Sequence, residues 1–556
     1  MEKSGIVPYP EEFARAYLAD GLWGAQSIGD VLHRQCLANA DRIAVATPDR
    51  RLTYRQLDEL SDRCGAALLG RGLDPGDRAV FQVTNTIEGV VAYYGAVKVG
   101  VVPVCSIPHH GERDVLTLAR MTRASAYVFQ RDFPSQDLSR VAASMAEAGV
   151  GLQLDLGPEV VDQNPCESLL GGVSAGEARQ IVEAHDPDPA EVAVLQLSGG
   201  TTGTPKVIPR LHREYVYNST CWAEAWGWRP DSVVVHPIPL LHNAGLAAAL
   251  QPSHFAAATF ATLPRPSAGD LLDLIERERV TVMPVTPPAL LRDLLDAQEL
   301  QPRDVSSLEQ VVVAGQKLDP LLADRLERVL GIDCLQNFGM GEGTFMYTPP
   351  GSPEWVRKET VGLPISPRDE VRILRPGDEV QVEIGEVGEL CCRGPYTIRG
   401  YYDAPQRNSE AFTTDGFYRT GDLARAHRFG DRMVYSIDGR IKDMINRGAE
   451  KISAEEVEEV LVEHAAIRAA AVVAMPDERL GERACAYLVA SPEAQPLGLE
   501  EVVEFCLGRG MAKFKLPERV EYVEALPLTN VGKVSKRELR EDIAARLAAE
   551  TAAARL

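Results

Sequence analysis

The sequence of 556 residues predicts an α/β protein. We expect a large N-terminal domain of parallel-sheet α/β subdomains plus a small β-rich subdomain, followed by a small α+β C-terminal domain. In the first half of the chain, helical patterns alternate with short apolar runs, which is typical of parallel sheets with crossover helices. From residue 369 onward this alternation gives way to short β-type runs separated by turns.

The N-terminal half contains the alternating elements in order. Apolar residues recur at helical spacing through 52–71, which predicts a helix. Short apolar runs predict buried strands at 78–83, 101–105, 191–197, 280–285 and 310–313. Between the first two of these strands, the longer apolar run 90–99 predicts a second helix.

The pattern of the chain changes after residue 369. The runs EVRIL, EVQVE and GELCCRG are separated by Pro-Gly and Gly-rich turns, so they predict a small β-rich subdomain. The segment YSIDGR at 435–440 carries a turn signal. After residue 451 the order helix, strand, strand, helix predicts a compact α+β unit. We therefore place a domain boundary between 1–441 and 442–556.

Composition and charge exclude several classes of protein. The 58 basic and 80 acidic residues give a net charge of −22, which argues against a nucleic-acid partner, since such proteins carry a basic face. The ten cysteines form no CxxC pair, and the N-terminus has no apolar signal-peptide core, which favours a reduced, cytoplasmic setting. No apolar run approaches the roughly 20 residues that cross a bilayer, so no membrane partner is expected.

The sharpest motif is SGGTTGTPK at 198–206, directly after a predicted buried strand. Its glycines allow backbone N–H groups to surround an anion, its threonine hydroxyls add donors, and Lys206 adds positive charge. The motif therefore predicts a polyphosphate-binding loop, although it lacks the spacing of the standard P-loop. A flexible surface turn is the alternative interpretation.

Five motifs, in this order, resemble those of the adenylate-forming superfamily of acyl- and aryl-CoA synthetases, nonribosomal-peptide adenylation domains and luciferases. They are SGGTTGTPK at 198–206, NFGMGEG at 337–343, YRTGDL at 418–423, GRIKDMINRG at 439–448 and PLTNVGK at 527–533. The resemblance covers nearly the whole chain. It implies that ATP and Mg²⁺ are used and that the C-terminal domain is mobile.

The resemblance implies three catalytic residues. Glu342 would help to hold Mg²⁺, a hard ion that prefers oxygen ligands. Lys533 would contact the reacting carboxylate and the α-phosphate, where its charge is worth most in the transition state. Lys442 lies where the family has its hinge. The family commonly has Thr before the metal-binding Glu, and Gly341 in its place removes one hydrogen bond without removing the expected activity.

The resemblance also implies a nucleotide site. Asp422 would accept hydrogen bonds from the ribose hydroxyls, and Arg440 would touch the same sugar. Phe338 would lie against the adenine ring, and Gly315 and Gln316 would line its other side. Taken alone, each of these residues has an ordinary structural role as its alternative. The remaining predicted nucleotide-binding residues are Ser198, Gly199, Gly200, Thr201, Thr202, Gly203, Thr204, Lys206, Gly339 and Gly341.

The segment PLLHNAG at 239–245 bears on the acid that is activated. Amino-acid-activating members usually have an Asp in this region, whereas Asn243 is a neutral amide that cannot neutralise an ammonium group. The His-Asn pair and the N-terminal stretch after Tyr9 resemble the stand-alone aryl-acid ligases of siderophore pathways, which activate 2,3-dihydroxybenzoate or salicylate. The resemblance implies that Asn243 bonds the 2-hydroxyl and that His242 borders the ring, with a packed histidine as the alternative.

Two alanines refine the expected acid. The dihydroxybenzoate enzymes tend to carry Ser where this chain has Ala248. A buried 3-hydroxyl facing Ala248 would lose a partner, at a cost of about 1–3 kcal/mol. Ala244 leaves room for a ring substituent. The sequence therefore favours salicylate or another substituted 2-hydroxybenzoate over 2,3-dihydroxybenzoate.

Together these inferences predict an aryl-acid AMP ligase of secondary metabolism that passes its acyl group to the phosphopantetheine thiol of a separate carrier protein. The first alternative is an aryl-CoA ligase, or a ligase whose acceptor is an amine or a hydroxyl. The second is a nonenzymatic ATP-binding protein on the same fold. The sequence leaves open the exact acid, the acceptor, the pathway product and the oligomeric state.

Overall fold

The structure, a computed structural model, divides the chain into two compact units. Unit 1 comprises Met1–Glu370 and Cys392–Tyr418, and unit 2 comprises Val371–Cys391 and Arg419–Leu556. The described residues are 5–108, 110–131, 137–157, 170, 172–198, 205–264, 267–315, 318–447, 450–477, 480–492, 494–509, 511, 513–529 and 533–554. This division differs from a cut after residue 441, and that boundary stays a prediction.

Unit 1 contains two sheets and the helices that cover them. Its strands are β1 Ile43–Ala46, β2 Arg51–Thr53, β3 Arg78–Gln82, β4 Val102–Cys105, β5 Ala126–Phe129, β6 Leu152–Asp155, β7 Val192–Ser198, β8 Lys206–Leu211, β9 Val233–His236, β10 Thr259–Thr262, β11 Val282–Thr286, β12 Gln310–Ala314, β13 Cys334–Gly339, β14 Phe345–Tyr347 and β15 Leu363–Pro364. Its helices are Glu11–Ala19, Ile28–Ala38, Tyr54–Gly70, Ile87–Lys98, Glu112–Thr122, Leu138–Glu147, Ala175–Ala184, His212–Ala225, Asn243–Gly245, the π-helix Leu246–Leu250, Gln251–Phe255, Ala268–Glu278, Pro288–Leu300, Pro320–Leu330, Glu354–Glu359 and Pro405–Glu410.

The first sheet of unit 1 has six strands in the order β6-β5-β3-β4-β7-β8. All neighbours are parallel except β7 and β8, which form an antiparallel pair. Every residue of the helix Ile87–Lys98 is buried, as expected of a helix whose residues between Glu88 and Lys98 carry no charge. Its capping residue Thr86 accepts the Gly89 N–H, which fixes the start of the helix.

The second sheet has nine strands in the order β15-β14-β13-β12-β11-β9-β10-β1-β2. The strands from β13 through β1 run parallel, and the antiparallel strands β2, β14 and β15 close its two edges. In the pair β12 and β13, Ala314 lies opposite Asn337. The residues that follow these two strands therefore meet at one edge, where ligands of parallel sheets commonly bind.

Unit 2 contains a four-stranded sheet, β16-β17-β18-β19, and a five-stranded sheet in which β24 joins β21-β20-β23-β22 by pairing with β23. The strands are β16 Glu370–Leu374, β17 Gly388–Arg393, β18 Tyr418–Phe429, β19 Arg432–Arg440, β20 Ile445–Arg447, β21 Glu450–Ile452, β22 Ile467–Asp477, β23 Gly481–Ala490 and β24 Arg519–Tyr522. The helices are the 3₁₀ turns Ile441–Asp443 and Lys513–Lys515, with Ala454–Val462, Leu499–Gly508 and Lys536–Ala554.

The predicted α/β class is confirmed, and each strand expected from a short apolar run in the first half is present within a few residues of its predicted bounds. Two local predictions are wrong. EVQVE at 379–383 forms no strand, and only Gln381 makes an isolated bridge, because its side chains are mostly exposed and have no core to pack against. YSIDGR lies inside β19 and is not a turn. No helix in the described part of the chain combines the length and apolarity needed to cross a membrane.

Candidate active site

The predicted phosphate-binding loop joins β7 to β8. Ser198 and Lys206 lie opposite each other at the end of this antiparallel pair. The Lys206 ammonium donates to the Tyr401 hydroxyl at 3.3 Å and lies 5.0 Å from the centre of that ring. Seven of the predicted site residues lie outside the described part of the chain, namely Gly199, Gly200, Thr201, Thr202, Gly203, Thr204 and Gln316.

A buried carboxylate, Glu342, contacts the same tyrosine. Its side chain accepts a hydrogen bond of 2.8 Å from the Tyr401 hydroxyl, and Tyr401 in turn lies 2.8 Å from the Tyr418 hydroxyl. Burial, together with the charge of Glu342, raises the pKa of Tyr401, so this phenol stays protonated and remains a donor. Tyr401 therefore connects Lys206 and Glu342, two residues that the sequence places far apart.

The Glu342 carboxylate is suited to bind a Mg²⁺ ion whose other ligands are mainly substrate oxygens. Glu342 is 5% exposed and offers hard oxygen ligands. Among the residues that the structure describes, no cluster of three or more His, Cys, Asp or Glu side chains is arranged to hold a metal ion. Mg²⁺ usually keeps waters and substrate phosphates and takes only one or two carboxylates from a protein, so a single glutamate suits it.

Three side chains hold the loop 340–342 at consecutive residues. Asn243 donates to the Met340 carbonyl at 3.2 Å, Arg210 donates to the Gly341 carbonyl at 2.8 Å, and Tyr401 binds the Glu342 carboxylate. Arg210 is fully buried and also donates to the Tyr396 carbonyl at 2.9 Å. A buried guanidinium that makes such bonds fixes the backbone ahead of Glu342.

The residues predicted to contact adenine lie at the edge formed by β12 and β13. Gly315 follows β12 and is exposed, Phe338 is half-buried near the end of β13, and Gly339 is exposed beside it. A methyl group placed on the Gly341 Cα would come within 2.8 Å of the Ile208 side-chain terminus. The glycine thus relieves a close approach in addition to lacking the threonine hydroxyl.

The predicted acid-binding residues start a short helical segment. His242 is its N-cap, and its Nδ1 accepts the Ala244 N–H at 3.2 Å, so a neutral His242 ring carries its proton on Nε2. Asn243 is buried and accepts a hydrogen bond of 2.7 Å from the Tyr215 hydroxyl. Ala248 is buried in the π-helix Leu246–Leu250, a rare element that is frequent at functional sites.

Unit 2 holds the other predicted group of site residues. Asp422 and Arg440 lie opposite each other on β18 and β19, and the Arg440 Nε donates to the Asp422 carboxylate at 3.0 Å. Burial, together with the charges of Arg440 and Lys442, lowers the pKa of Lys533 to about 8, and the charge of Asp422 opposes these effects. Burial likewise lowers the pKa of Lys442, which lies in the 3₁₀ turn Ile441–Asp443. Cationic and anionic side chains therefore surround Lys533.

The structure thus forms two groups of predicted residues, Lys206, Glu342 and Asn243 in unit 1 and Asp422, Arg440, Lys442 and Lys533 in unit 2. Sequence reasoning missed three side chains that hold the first group, namely Arg210, Tyr215 and Tyr401. No motif in the sequence marks these residues, because each acts on a partner that is distant along the chain.

Comparison with protein families gives two matches. The family model described as AMP-binding enzyme matches residues 32–402. The model described as AMP-binding enzyme C-terminal domain matches residues 456–533. Both predicted regions of the chain are therefore matched, and the first match alone covers more than half of it.

Full-length relatives and a solved structure agree with these matches. A 2,3-dihydroxybenzoate-AMP ligase of Bacillus subtilis (strain 168) is 37% identical over 98% of this chain and 99% of its own. A salicylyl-CoA synthase / salicylate adenylyltransferase of Streptomyces sp is 38% identical over 97% of this chain and 98% of its own. The apo structure of Mycobacterium smegmatis MbtA is 36% identical, covers 97% of this chain and 98% of that chain, and has a TM-score of 0.69. The chain therefore belongs to the AMP-binding enzyme family, and the predicted adenylate-forming ligase is confirmed.

Proposed function

We propose that this protein is a stand-alone aryl-acid AMP ligase that activates a 2-hydroxybenzoate. The observation that carries the proposal is the buried Asn243 amide, which lies against the loop that leads into Glu342. A neutral amide can bond the ortho oxygen of an aryl acid, whereas an amino acid would need a carboxylate there to pair its ammonium. The names of the Bacillus and Streptomyces relatives support the same class of acid.

In the first step, a carboxylate oxygen of the acid attacks the α-phosphorus of ATP. A new P–O bond forms, the bond to pyrophosphate breaks, and the products are aryl-AMP and pyrophosphate. Lys533 stabilises the negative charge that builds on the α-phosphate and the attacking carboxylate. Glu342 would help to hold Mg²⁺, which would supply positive charge to the phosphates when bound.

The nucleotide is held by the remaining predicted residues. The motif at 198–206 is the proposed phosphate-binding element, to which Lys206 contributes its charge from the start of β8. Asp422 accepts from the ribose hydroxyls, and its ion pair with Arg440 orients the carboxylate. Phe338 lies against adenine, with Gly315 on the other side.

Salicylate is the acid that the pocket residues favour over 2,3-dihydroxybenzoate. Ala248 is buried and offers no hydrogen-bonding side chain for a 3-hydroxyl. Ala244 is half-buried and leaves room for a small ring substituent. His242 borders the aromatic ring of the acid and offers its Nε2–H as a hydrogen-bond donor.

In the second step, a phosphopantetheine thiol on a separate carrier protein attacks the aryl carbonyl, a thioester forms and AMP leaves. Coenzyme A is the second candidate acceptor, since the name of the Streptomyces relative includes salicylyl-CoA synthase. An amine or hydroxyl acceptor is the third. We place the hinge between the two steps at Lys442, and the domain boundary after residue 441.

ATP–pyrophosphate exchange with a panel of benzoic acids tests the proposal. We expect the highest kcat/KM with salicylate, a lower value with 2,3-dihydroxybenzoate and a much lower value with benzoate. Product analysis with carrier protein and with coenzyme A then identifies the acceptor. Exchange with amino acids but with no aryl acid would overturn the proposal, and no exchange with any acid would leave only nucleotide binding on this fold.

The role of Lys533 has its own test. We expect Lys533→Ala to lose at least about 10²-fold in aryl-AMP formation, the usual scale for one transition-state donor. Transfer from preformed aryl-AMP should be largely spared, because the hinge that we place at Lys442 would carry Lys533 away from the reacting atoms before that step. Equal damage to both steps would contradict this division of labour.

A further inference from the structure

Asn243 is part of a buried chain of hydrogen bonds that reaches beyond the predicted acid pocket. The Tyr215 hydroxyl, on the helix His212–Ala225, donates to the Asn243 Oδ1 at 2.7 Å. The Asn243 Nδ2 donates to the Met340 carbonyl at 3.2 Å. Tyr215 is fully buried and Asn243 is 5% exposed, so water competes little for these bonds.

These partners fix which way round the amide lies. A backbone carbonyl can only accept, so the amide atom that faces Met340 must be the NH₂ group. The carbonyl oxygen of Asn243 must then face Tyr215, which acts as the donor. Burial raises the pKa of Tyr215 well above its ordinary value of 10.0, against the opposing charge of Arg210, so the phenol keeps its proton.

The tyrosine is itself held in place. The Arg210 Cζ atom lies 4.6 Å from the centre of the Tyr215 ring. Arg210 is in turn held by hydrogen bonds to the Gly341 and Tyr396 carbonyls, at 2.8 and 2.9 Å. A ring that makes a cation–π contact with a guanidinium held in this way has little freedom to move its hydroxyl. The orientation of the Asn243 amide is therefore tied to the backbone next to Glu342.

We propose that Tyr215 is a positioning residue that holds the Asn243 amide with its oxygen turned towards Tyr215 and an N–H available, and that it thereby selects acids whose ortho group accepts a hydrogen bond. This inference rests on the proposed function. In a 2-hydroxybenzoate the phenol proton bonds the acid's own carboxylate, so its oxygen is left to accept from Asn243. In a 2-aminobenzoate the second amine N–H points outward and meets another donor.

Tyr215→Phe in the full-length protein tests this role, with kcat/KM measured in ATP–pyrophosphate exchange for salicylate, 2-aminobenzoate and unsubstituted benzoate. Losing the donor frees the amide oxygen, so we expect the ratio of salicylate to 2-aminobenzoate to fall by about tenfold, the scale of one hydrogen bond. The KM for ATP and the rate with benzoate should change much less. An unchanged ratio in a folded variant would overturn the proposal.

Tyr217→Phe is the matched control, because Tyr217 lies on the same helix but pairs its hydroxyl with Ser366 at 2.8 Å. This variant should leave the ratio as in the wild type. In an Asn243→Ala background Tyr215→Phe should have no further effect on the ratio, and an equal shift there would show that Tyr215 acts by another route.

The wild type alone also decides the matter if Tyr215→Phe fails to fold. A wild type that activates 2-aminobenzoate as well as salicylate overturns the inference while leaving the proposed function intact. A wild type that activates no aryl acid overturns the proposed function instead. A preference of tenfold or more for salicylate over 2-aminobenzoate supports the inference.

Discussion

The lowered pKa of Lys533 gives aryl-AMP formation a pH dependence. Burial, with a further contribution from the charge of Arg440, lowers this pKa to about 8. The ammonium is therefore present below pH 8 and is lost as the pH rises through that value. Because kcat/KM reports the ionisation of the free enzyme, we expect kcat/KM for ATP to fall above about pH 8 in the exchange assay.

Lys533→Arg is the control for this dependence, since a guanidinium stays protonated throughout the range. The variant should be slower at every pH, because its planar group does not reproduce the ammonium geometry, but its alkaline limb should be absent. An identical limb in both proteins would assign the ionisation to another group.

At the level of single residues, the sequence predicts those that carry charge in a motif and misses those that position them. Glu342 and Lys206 belong to recognisable strings, and the structure links them through Tyr401. Tyr401 stands 59 positions from Glu342 along the chain, and only the fold brings their side chains together. Tyr215 acts on Asn243 in the same way, across 28 positions.

Two helices of unit 1 are joined by a buried ion cluster that supports a stability prediction. Lys98 ends the helix Ile87–Lys98, is 1% exposed, and lies 2.6 Å from both Asp58 and Asp62 on the helix Tyr54–Gly70. Lys98→Met would leave two buried carboxylates without this partner. We expect the free energy of unfolding, measured in urea at pH 7, to fall by about 3–5 kcal/mol.

Replacing both acids as well, with Asp58→Asn and Asp62→Asn, should recover most of this loss because no buried charge is then left unpaired. A loss below about 1 kcal/mol for Lys98→Met alone would contradict the account. Burial raises the pKa of Asp58, but the hydrogen bond from His33 and the charge of Lys98 outweigh it and bring the pKa below 3.8. The stability that ionised Asp58 contributes is therefore present above pH 3.8 and is lost as the pH falls through the lowered pKa of Asp58.

At the level of elements, buried strands are predictable and exposed or irregular ones are not. The run AVFQ in β3 is buried along its whole length, so its apolar pattern and its structure agree. In β19, Asp438 is an extra residue between two regular pairs with β18, and Gly439 has φ of +134°. An Asp-Gly pair signals a turn in sequence, but here it forms a bulge inside the hairpin of β18 and β19, because both residues lie in the paired part of β19.

At the level of the whole molecule, unit 2 has apolar cores of its own on the two faces of its five-stranded sheet. Val472 points into one core, which it shares with Leu461 of the helix Ala454–Val462. Its neighbour Val473 points into the other, with Ile543 of the helix Lys536–Ala554. All buried residues of both cores lie between 445 and 543.

A fragment of residues 442–556 should therefore fold alone, which tests the predicted boundary after residue 441. It contains the complete five-stranded sheet and helices for both faces, and we expect cooperative urea unfolding with a stability of roughly 5 kcal/mol or more. A fragment starting at residue 456, where the family's C-terminal model begins, is the control. It lacks β20 and β21 and with them the buried Ile445 and Ile452, so it should unfold at much lower urea or remain unfolded. A gradual, noncooperative transition for 442–556 would place the boundary elsewhere and would favour a unit that also needs the sheet β16–β19.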